Sequence, residues 1–439
     1  MKLTDFIALF LVEQGLKHAF VVSGGASLHL IHSIDKTPGI DFVCCHHEQA
    51  AAMAADAYSR VTANLGVAIS TSGPGATNMI TGICGSYYDS VPVLYLTGQV
   101  STFRMSGQTG VRQIGFQETP IVDICRPITK YAVQLSDPNQ IKYELQKSLH
   151  LARYGRGGPV LIDIPDNLQR VEIEPDSLSE YCPENVVVIQ RSEVENRIDI
   201  ILSRLSRSKR PVLIGGWGLH LARCQDLFRS LVNQLGIPVA LTWAVTDILP
   251  HDHPLRIGTF GTHGTRYGNF AVQNADFVLS LGSRLDTKAT GSPPCTFARE
   301  AWKVVVDIDP CELAKFSKFG LKIDCPVQAD LRDVISCMVS RVEGALDCSE
   351  WLNQIYHWQK RYGTPDTDTE FSSGINPYTL IRQFSEKLPE PANVFIDTGC
   401  VIAWTMQAFL PKQGHRLWHD FNNTAMGWAV PAAVAAAFA

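Results

Sequence analysis

The chain predicts an α/β protein built as three successive doubly wound parallel-sheet domains. Three observations carry this. Short runs rich in Val, Ile and Leu alternate with helix-period segments. That rhythm restarts twice after polar stretches, and 439 residues exceed one ordinary core at roughly 100–200 residues per domain. The expected domains are 1–170, 188–345 and 350–439.

The first segment opens with an apolar-periodic helix over Leu3–Leu16 and a strand over Ala19–Val22, then Gly24-Gly25 and another helical stretch. A strand over Phe42–Cys45 leads into a helix from Glu48 to Arg60. Val67–Ser70, a Gly-Pro-Gly turn, a helix over Ala76–Tyr88 and strands over Val91–Thr97 and Val160–Ile164 follow. Pro165–Arg191 is polar and reads as a surface linker. In the second segment, strands are expected at Pro211–Gly215, Pro238–Thr242, Phe277–Leu281 and Lys303–Ile308, with a helix over Cys224–Leu235. A second polar stretch spans Val342–Pro377, and a third βα pattern starts with Val394–Ile396 and runs to Ala439.

Composition narrows the function. A net charge of −5 argues against a phosphate-backbone binder, so no nucleic-acid partner is expected. No run approaches the roughly 18 apolar residues that span a bilayer, and no membrane association is expected. The twelve cysteines form no C-x-x-C pair, which fits a reducing cytoplasm.

The chemistry-bearing residues cluster after strands. In His46-His47-Glu48-Gln49 a strand delivers a carboxylate to a helix start at the carboxyl edge of a parallel sheet, where ligands bind in open α/β folds. Taken alone, Glu48 reads as complementing the helix dipole, and His46 and His47 read as packing or loop residues. Ser72-Gly73-Pro74-Gly75-Ala76-Thr77-Asn78 follows the next strand, with two glycines permitting close backbone approach and Asn78 available to hydrogen-bond. Gly24-Gly25-Ala26 supplies a third loop.

In order, Gly24–Ala26, His47–Gln49, Ser72–Asn78, Asp89–Pro92, Gly98–Val100 and Phe116–Glu118 resemble the pyrimidine-binding domain of acetolactate synthase large subunits, which are thiamine-diphosphate-dependent carboligases. The resemblance implies that Glu48 pairs with the cofactor's aminopyrimidine nitrogen, favouring the tautomer that deprotonates the thiazolium carbon. Partial burial of the carboxyl would help it share a proton. It further implies that Gly24, Gly25, Pro74 and Asn78 line the cofactor, and that Phe116 and the catalytic Gln117 face the reacting carbon. In the third segment Asp397 and Gly399 match the first diphosphate contact. Met426 matches the side chain that wedges the cofactor into its bent shape, with core filler as the plainer reading.

The middle segment resembles the family's Rossmann-like domain, which holds FAD in a structural role. Arg156, His263, Gly264, Arg284, Asp307, Asp309 and Asp330 occupy matching positions. Trp217 stands where the family has a third glycine, and Asp286-Thr287-Lys288 replaces an Asp-Asp-Arg run. The alternative is a spacer without flavin.

The family's Mg²⁺ ligands begin with a Gly-Asp-Gly turn, a tripeptide that does not occur in the chain. They are expected beyond residue 439, with no metal ligand in this chain, which would be a fragment inactive on its own. The resemblance also implies pyruvate or a related 2-oxo acid as substrate, a homodimer or homotetramer with the site between subunits, and a regulatory subunit as partner. A thiamine-dependent decarboxylase, a sugar-pathway carboligase and a non-catalytic remnant of the fold are the alternative functions.

Overall fold

A computed structural model describes residues 1–183, 191–363 and 374–439. The polar stretches over Pro165–Arg191 and Val342–Pro377, and the domain start at 188, therefore fall partly or wholly outside the described residues. The chain divides into two compact units, Met1–Val186 with His419–Ala439, and Val187–Trp418.

In the first unit β1 (His18–Val21), β2 (Asp41–Cys44), β3 (Gly66–Ser70), β4 (Val93–Gln99), β5 (Tyr131–Gln134) and β6 (Val160–Pro165) form one sheet in the order β2-β1-β3-β4-β6-β5. All pairings are parallel. The central strands β3, β4 and β6 are buried throughout, as continuous apolar runs require when both faces are covered. Leu3, Ile7, Leu30, Ile34, Leu145 and Leu149 from flanking helices pack against one face. The half-buried edge strand β5 carries little apolar signal and was not legible in the sequence.

The helix Glu48–Thr62 is buried on nearly every side from Ala51 to Arg60. Its alanines permit this. A Cβ on Gly66 would lie 1.9 Å from the Ala55 carbonyl oxygen, and one on Gly82 would lie 2.5 Å from Ala52 Cβ. The helix Ala429–Ala436 packs along it in the same unit. The expected helix over Ala76–Tyr88 is two helices, Pro74–Asn78 and Ile80–Tyr88. Pro74 starts the first early because its fixed φ suits a first turn, and Met79 N–H reaches the Ala76 carbonyl at 3.2 Å, a tightened turn.

In the second unit β7 (Pro211–Gly215), β8 (Val239–Leu241), β9 (Arg256–Thr259), β10 (Phe277–Leu281), β11 (Trp302–Asp307) and β12 (Cys325–Gln328) form a parallel sheet in the order β12-β11-β10-β7-β8-β9. Strand order reverses between β7 and β10, the topological switch point of a Rossmann-like sheet. The Val342–Pro377 stretch includes a helix, Ser349–Tyr362, that buries Trp351 and Ile355, so part of it is core rather than polar surface. β13 (Ala392–Phe395) pairs in parallel with β14 (His415–Trp418), around Ile396, Ile402, Met406 and Leu417.

Candidate active site

His47 has extended backbone and its Nδ1 accepts the Gln49 N–H at 3.1 Å. It is the N-cap of the Glu48 helix, a duty not legible from its neighbours in the chain. Glu48 follows as the first helical residue and is half-buried. Its Oε2 accepts a hydrogen bond from Asn78 Nδ2 at 3.0 Å. A Cβ on Gly75 would lie 3.4 Å from Glu48 Oε1, so the carboxylate stands against the Gly-Pro-Gly turn.

Thr71 joins the loops around it. Its Oγ1 accepts the Ala26 N–H at 3.2 Å, and its side chain lies 2.5 Å from where a Gly24 Cβ would be and 2.7 Å from where a Gly75 Cβ would be. Any larger residue at 24 or 75 would displace it. Gly73 adopts φ +62°, open to glycine at little cost, and a Cβ there would meet Gln117 Cβ at 2.9 Å. Gln117 itself is left-handed, at φ +65°. Gly25 has open space where a Cβ would point, and Phe116 is 85% exposed. The sheet edge thus brings Gly24, Gly25, Glu48, Pro74, Asn78, Phe116 and Gln117 onto four segments that follow β1, β2, β3 and β4.

The remaining motifs support these loops. A Cβ on Gly98 would lie 2.1 Å from the Ala26 carbonyl oxygen, so only glycine lets β4 pass the first loop. Gln99 Nε2 donates to the Thr119 carbonyl at 2.8 Å and to Asp163 Oδ2 at 2.9 Å. Burial pushes the Asp163 carboxyl up to about 6, against hydrogen bonds from Thr97, Gln134 and Gln99 that lower it.

Asp89 is the hub of a buried ionic cluster. Arg60 donates to Asp56 Oδ2 at 2.7 Å and to Asp89 Oδ2 at 2.8 Å, with both ion pairs fully enclosed. Asp89 also accepts the Phe421 and Asn422 N–H groups, at 2.9 and 3.1 Å. Arg60 reaches the His419 carbonyl at 3.1 Å, and Trp428 Nε1 donates to Asp56 at 3.2 Å. Residues 419–428 are tied to the first unit by this network. Asp56 and Arg60 lie one helical turn apart on an alanine-rich helix, the only signal the sequence offered.

Residues 1–123 match the family described as thiamine pyrophosphate enzyme, N-terminal TPP binding domain, and residues 198–338 match its central domain. The chain is 34% identical over 434 residues to the acetolactate synthase large subunit of Lactococcus lactis subsp. lactis (strain IL1403), covering 98% of this chain and 72% of that one. It is 33% identical over 438 residues to the large subunit of Cyanidium caldarium, covering 98% and 73%. The chain belongs to the acetolactate synthase large-subunit family. Against chloroplastic acetolactate synthase 1 of Oryza sativa subsp. japonica, identity is 32% over 437 residues, covering 99% of this chain and 66% of that one.

In this acetolactate synthase family member Met426 belongs to the first unit and is 82% exposed, which excludes the core-filler reading within that unit. Asp397 and Gly399 belong to the second unit. There Asp397 Oδ1 accepts the Thr398 N–H at 2.9 Å, and Gly399, at φ +87°, caps the helix Cys400–Ala408.

Of the residues at flavin-matching positions, Arg156 lies in the first unit and donates to Ser90 Oγ at 2.8 Å. In the second unit Arg284 pairs with Glu312 at 3.0 Å. Asp309 and Asp330 cap helices, accepting from Cys311 and Arg332 N–H at 2.9 and 2.8 Å, and Asp307 accepts the Asp309 N–H at 2.9 Å. The His263 ring lies 5.1 Å from that of Trp243, and burial, then the Lys288 charge, holds its pKa below the usual value. Gly264 is demanded by its turn, since a Cβ would lie 2.5 Å from the Phe260 backbone. Trp217 packs beside His220, at 5.1 Å. Asp286 caps the helix Thr287–Thr290. Among the described residues, no three His, Cys, Asp or Glu side chains converge to hold a metal ion, and no helix is long and apolar enough to cross a membrane.

Proposed function

We propose that this chain acts on pyruvate or a close 2-oxo acid as a thiamine-diphosphate-dependent carboligase, joining the decarboxylated fragment to a second carbonyl to give acetolactate. The observation that carries this is Glu48, half-buried at a helix start, hydrogen-bonded to Asn78 and set against Gly75.

The residues of the first unit fit the cofactor's pyrimidine. Glycines at 24, 25, 73 and 75 keep two of the loops low, the Gly25 position is open, and one carboxylate faces the turn. When bound, thiamine diphosphate supplies a carbon nucleophile that attacks the 2-oxo acid and releases carbon dioxide. Glu48 would hold the shared proton at the pyrimidine nitrogen, with Asn78 fixing the orientation of its carboxylate. Gly24, Gly25 and Pro74 would line the ring, Phe116 would keep water from the reacting carbon, and Gln117 would orient the substrate carbonyl. Asp397 and Gly399 would meet the diphosphate, and Met426 would hold the bent shape, a proximity effect. We place the working site at the interface of a homodimer.

An FAD in a structural role would lie along the carboxyl edge of the second sheet. Trp217, His263, Arg284, Asp307, Asp309 and Asp330 stand at or just after the ends of β7, β9, β10, β11 and β12 and are all half-buried. Yellow colour and absorbance near the flavin bands in purified protein would support this; colourless protein leaves the domain as a spacer.

The central test is Glu48→Gln in full-length protein that carries the expected Mg²⁺ ligands, assayed with pyruvate, thiamine diphosphate and Mg²⁺. Acetolactate formation should vanish while circular dichroism stays unchanged. Undiminished turnover would reject the role of Glu48, and a product other than acetolactate would move the reading to a decarboxylase or a sugar-pathway carboligase.

A further inference from the structure

The loop from Ser101 to Thr119 carries Phe116 and Gln117, yet it has little apolar means of holding a shape. Phe103, Val111, Ile114 and Phe116 are 74%, 53%, 57% and 85% exposed, so burial does not fix their backbone. One carboxylate does. Glu118 Oε1 accepts the Ser106 N–H at 2.6 Å and the Ser106 hydroxyl at 2.7 Å. Its Oε2 accepts the Ile114 N–H at 2.9 Å and the Gly115 N–H at 3.2 Å.

We infer that Glu118 is a positioning residue of the active site, stapling both arms of this loop so that Gln117 is pressed against Gly73. Its own backbone completes the staple: the Glu118 N–H donates to the Gly115 carbonyl at 3.0 Å, and its carbonyl accepts from Gln113 Nε2 at 2.9 Å. Gly115 is buried and a Cβ there would meet the Arg104 carbonyl oxygen at 2.9 Å, so the two arms touch where the carboxylate joins them. Below, Gln99 anchors the Thr119 carbonyl at 2.8 Å. Between these fixed points Gln117 is held left-handed, its Cβ filling the space that glycine leaves at position 73. Burial pushes the Glu118 carboxyl up, but the donors from Ile114, Ser106 and Gly115 outweigh it and leave it below the usual glutamate range. Charge-assisted hydrogen bonds of this kind are roughly twice as strong as neutral ones.

The inference rests on the cofactor reading only for its catalytic consequence. Glu118→Gln keeps the shape but turns an amide NH₂ toward N–H donors on one arm. Amide hydrogen exchange on the full chain should then speed up about tenfold or more across residues 104–117, with β3 and β4 unchanged. Glu48→Gln should leave that protection intact, which separates failure of the cofactor reading from failure of this one. In turnover assays Glu118→Gln should cost about tenfold in kcat, and less than about twofold in a Gln117→Ala background, because the two act as a unit. Unchanged exchange in the loop, or a Glu118→Gln loss that is fully additive with Gln117→Ala, overturns the proposal.

Discussion

Asn78 Nδ2 donates to Glu48 Oε2 at 3.0 Å, bridging two helices that start 26 residues apart at Glu48 and Pro74 (74 minus 48). Asn78 therefore orients the carboxylate, besides the ring-lining role proposed for it. Asn78→Ala should lower acetolactate formation about 2–10-fold, the usual net worth of one hydrogen bond. Asn78→Asp should cost more, because it sets a like charge beside Glu48. Equal activity in both variants would show that the bond does not hold Glu48.

Gly98 and Gly25 should respond oppositely to a methyl group. At Gly98 the added Cβ meets a backbone carbonyl at 2.1 Å, and overpacking of this kind costs about 1–3 kcal/mol. At Gly25 no atom lies within 4 Å. Gly98→Ala should lower the melting temperature, whereas Gly25→Ala should leave it unmoved and weaken thiamine diphosphate binding measured by calorimetry.

Arg60 is the cation that Asp56 and Asp89 share inside the first unit. Breaking a buried pair by removing one partner costs about 3–5 kcal/mol. Arg60→Met should therefore lower the melting temperature by roughly 10 °C for a unit of this size. It should also release residues 419–428, seen as chymotrypsin cleavage after Phe421 or faster hydrogen exchange at Phe421 and Asn422. Unaltered protection there would show that helix packing alone holds the segment.

Asp420 gives that attachment a pH dependence. It is 1% exposed, its Oδ2 accepts the Ala425 N–H at 3.0 Å, and Asp89, Arg60, Asp56 and Cys84 face it. Burial first, then Asp89, pushes its carboxyl up to about 7, with Arg60 opposing. The folded state thus keeps a proton that the unfolded chain releases near pH 4. Stability should be highest below that value, decline as pH rises to about 7, and flatten beyond. In Asp420→Asn this component should be absent from melting curves taken between pH 4 and 8; an identical slope in both proteins would exclude Asp420 as its source.

The central strands and the chemistry-bearing turns were legible because each is a local signal. A run such as Val-Leu-Tyr-Leu buries both faces, and Gly73-Pro74-Gly75 bends for steric reasons that travel with the residues. Of the four strands at the edges of the two six-stranded sheets, β2 was legible but three were not: β5, β9 and β12 span four residues each, with polar or half-exposed positions, and are strands only because a neighbour offers hydrogen bonds. His47 was passed over as a loop residue and proves to be a helix cap.

What the sequence determined by itself was the order of the central elements, the family and the carboxylate at position 48, since periodicity, turn chemistry and motif order are written residue by residue. Tertiary structure alone decided that Thr71 spaces two loops, that Glu118 staples a third, and that Asp89 reaches Phe421 and Asn422 far along the chain. Those duties depend on distances of about 3 Å between groups remote in sequence, and such proximity is set by packing, not by spacing along the chain.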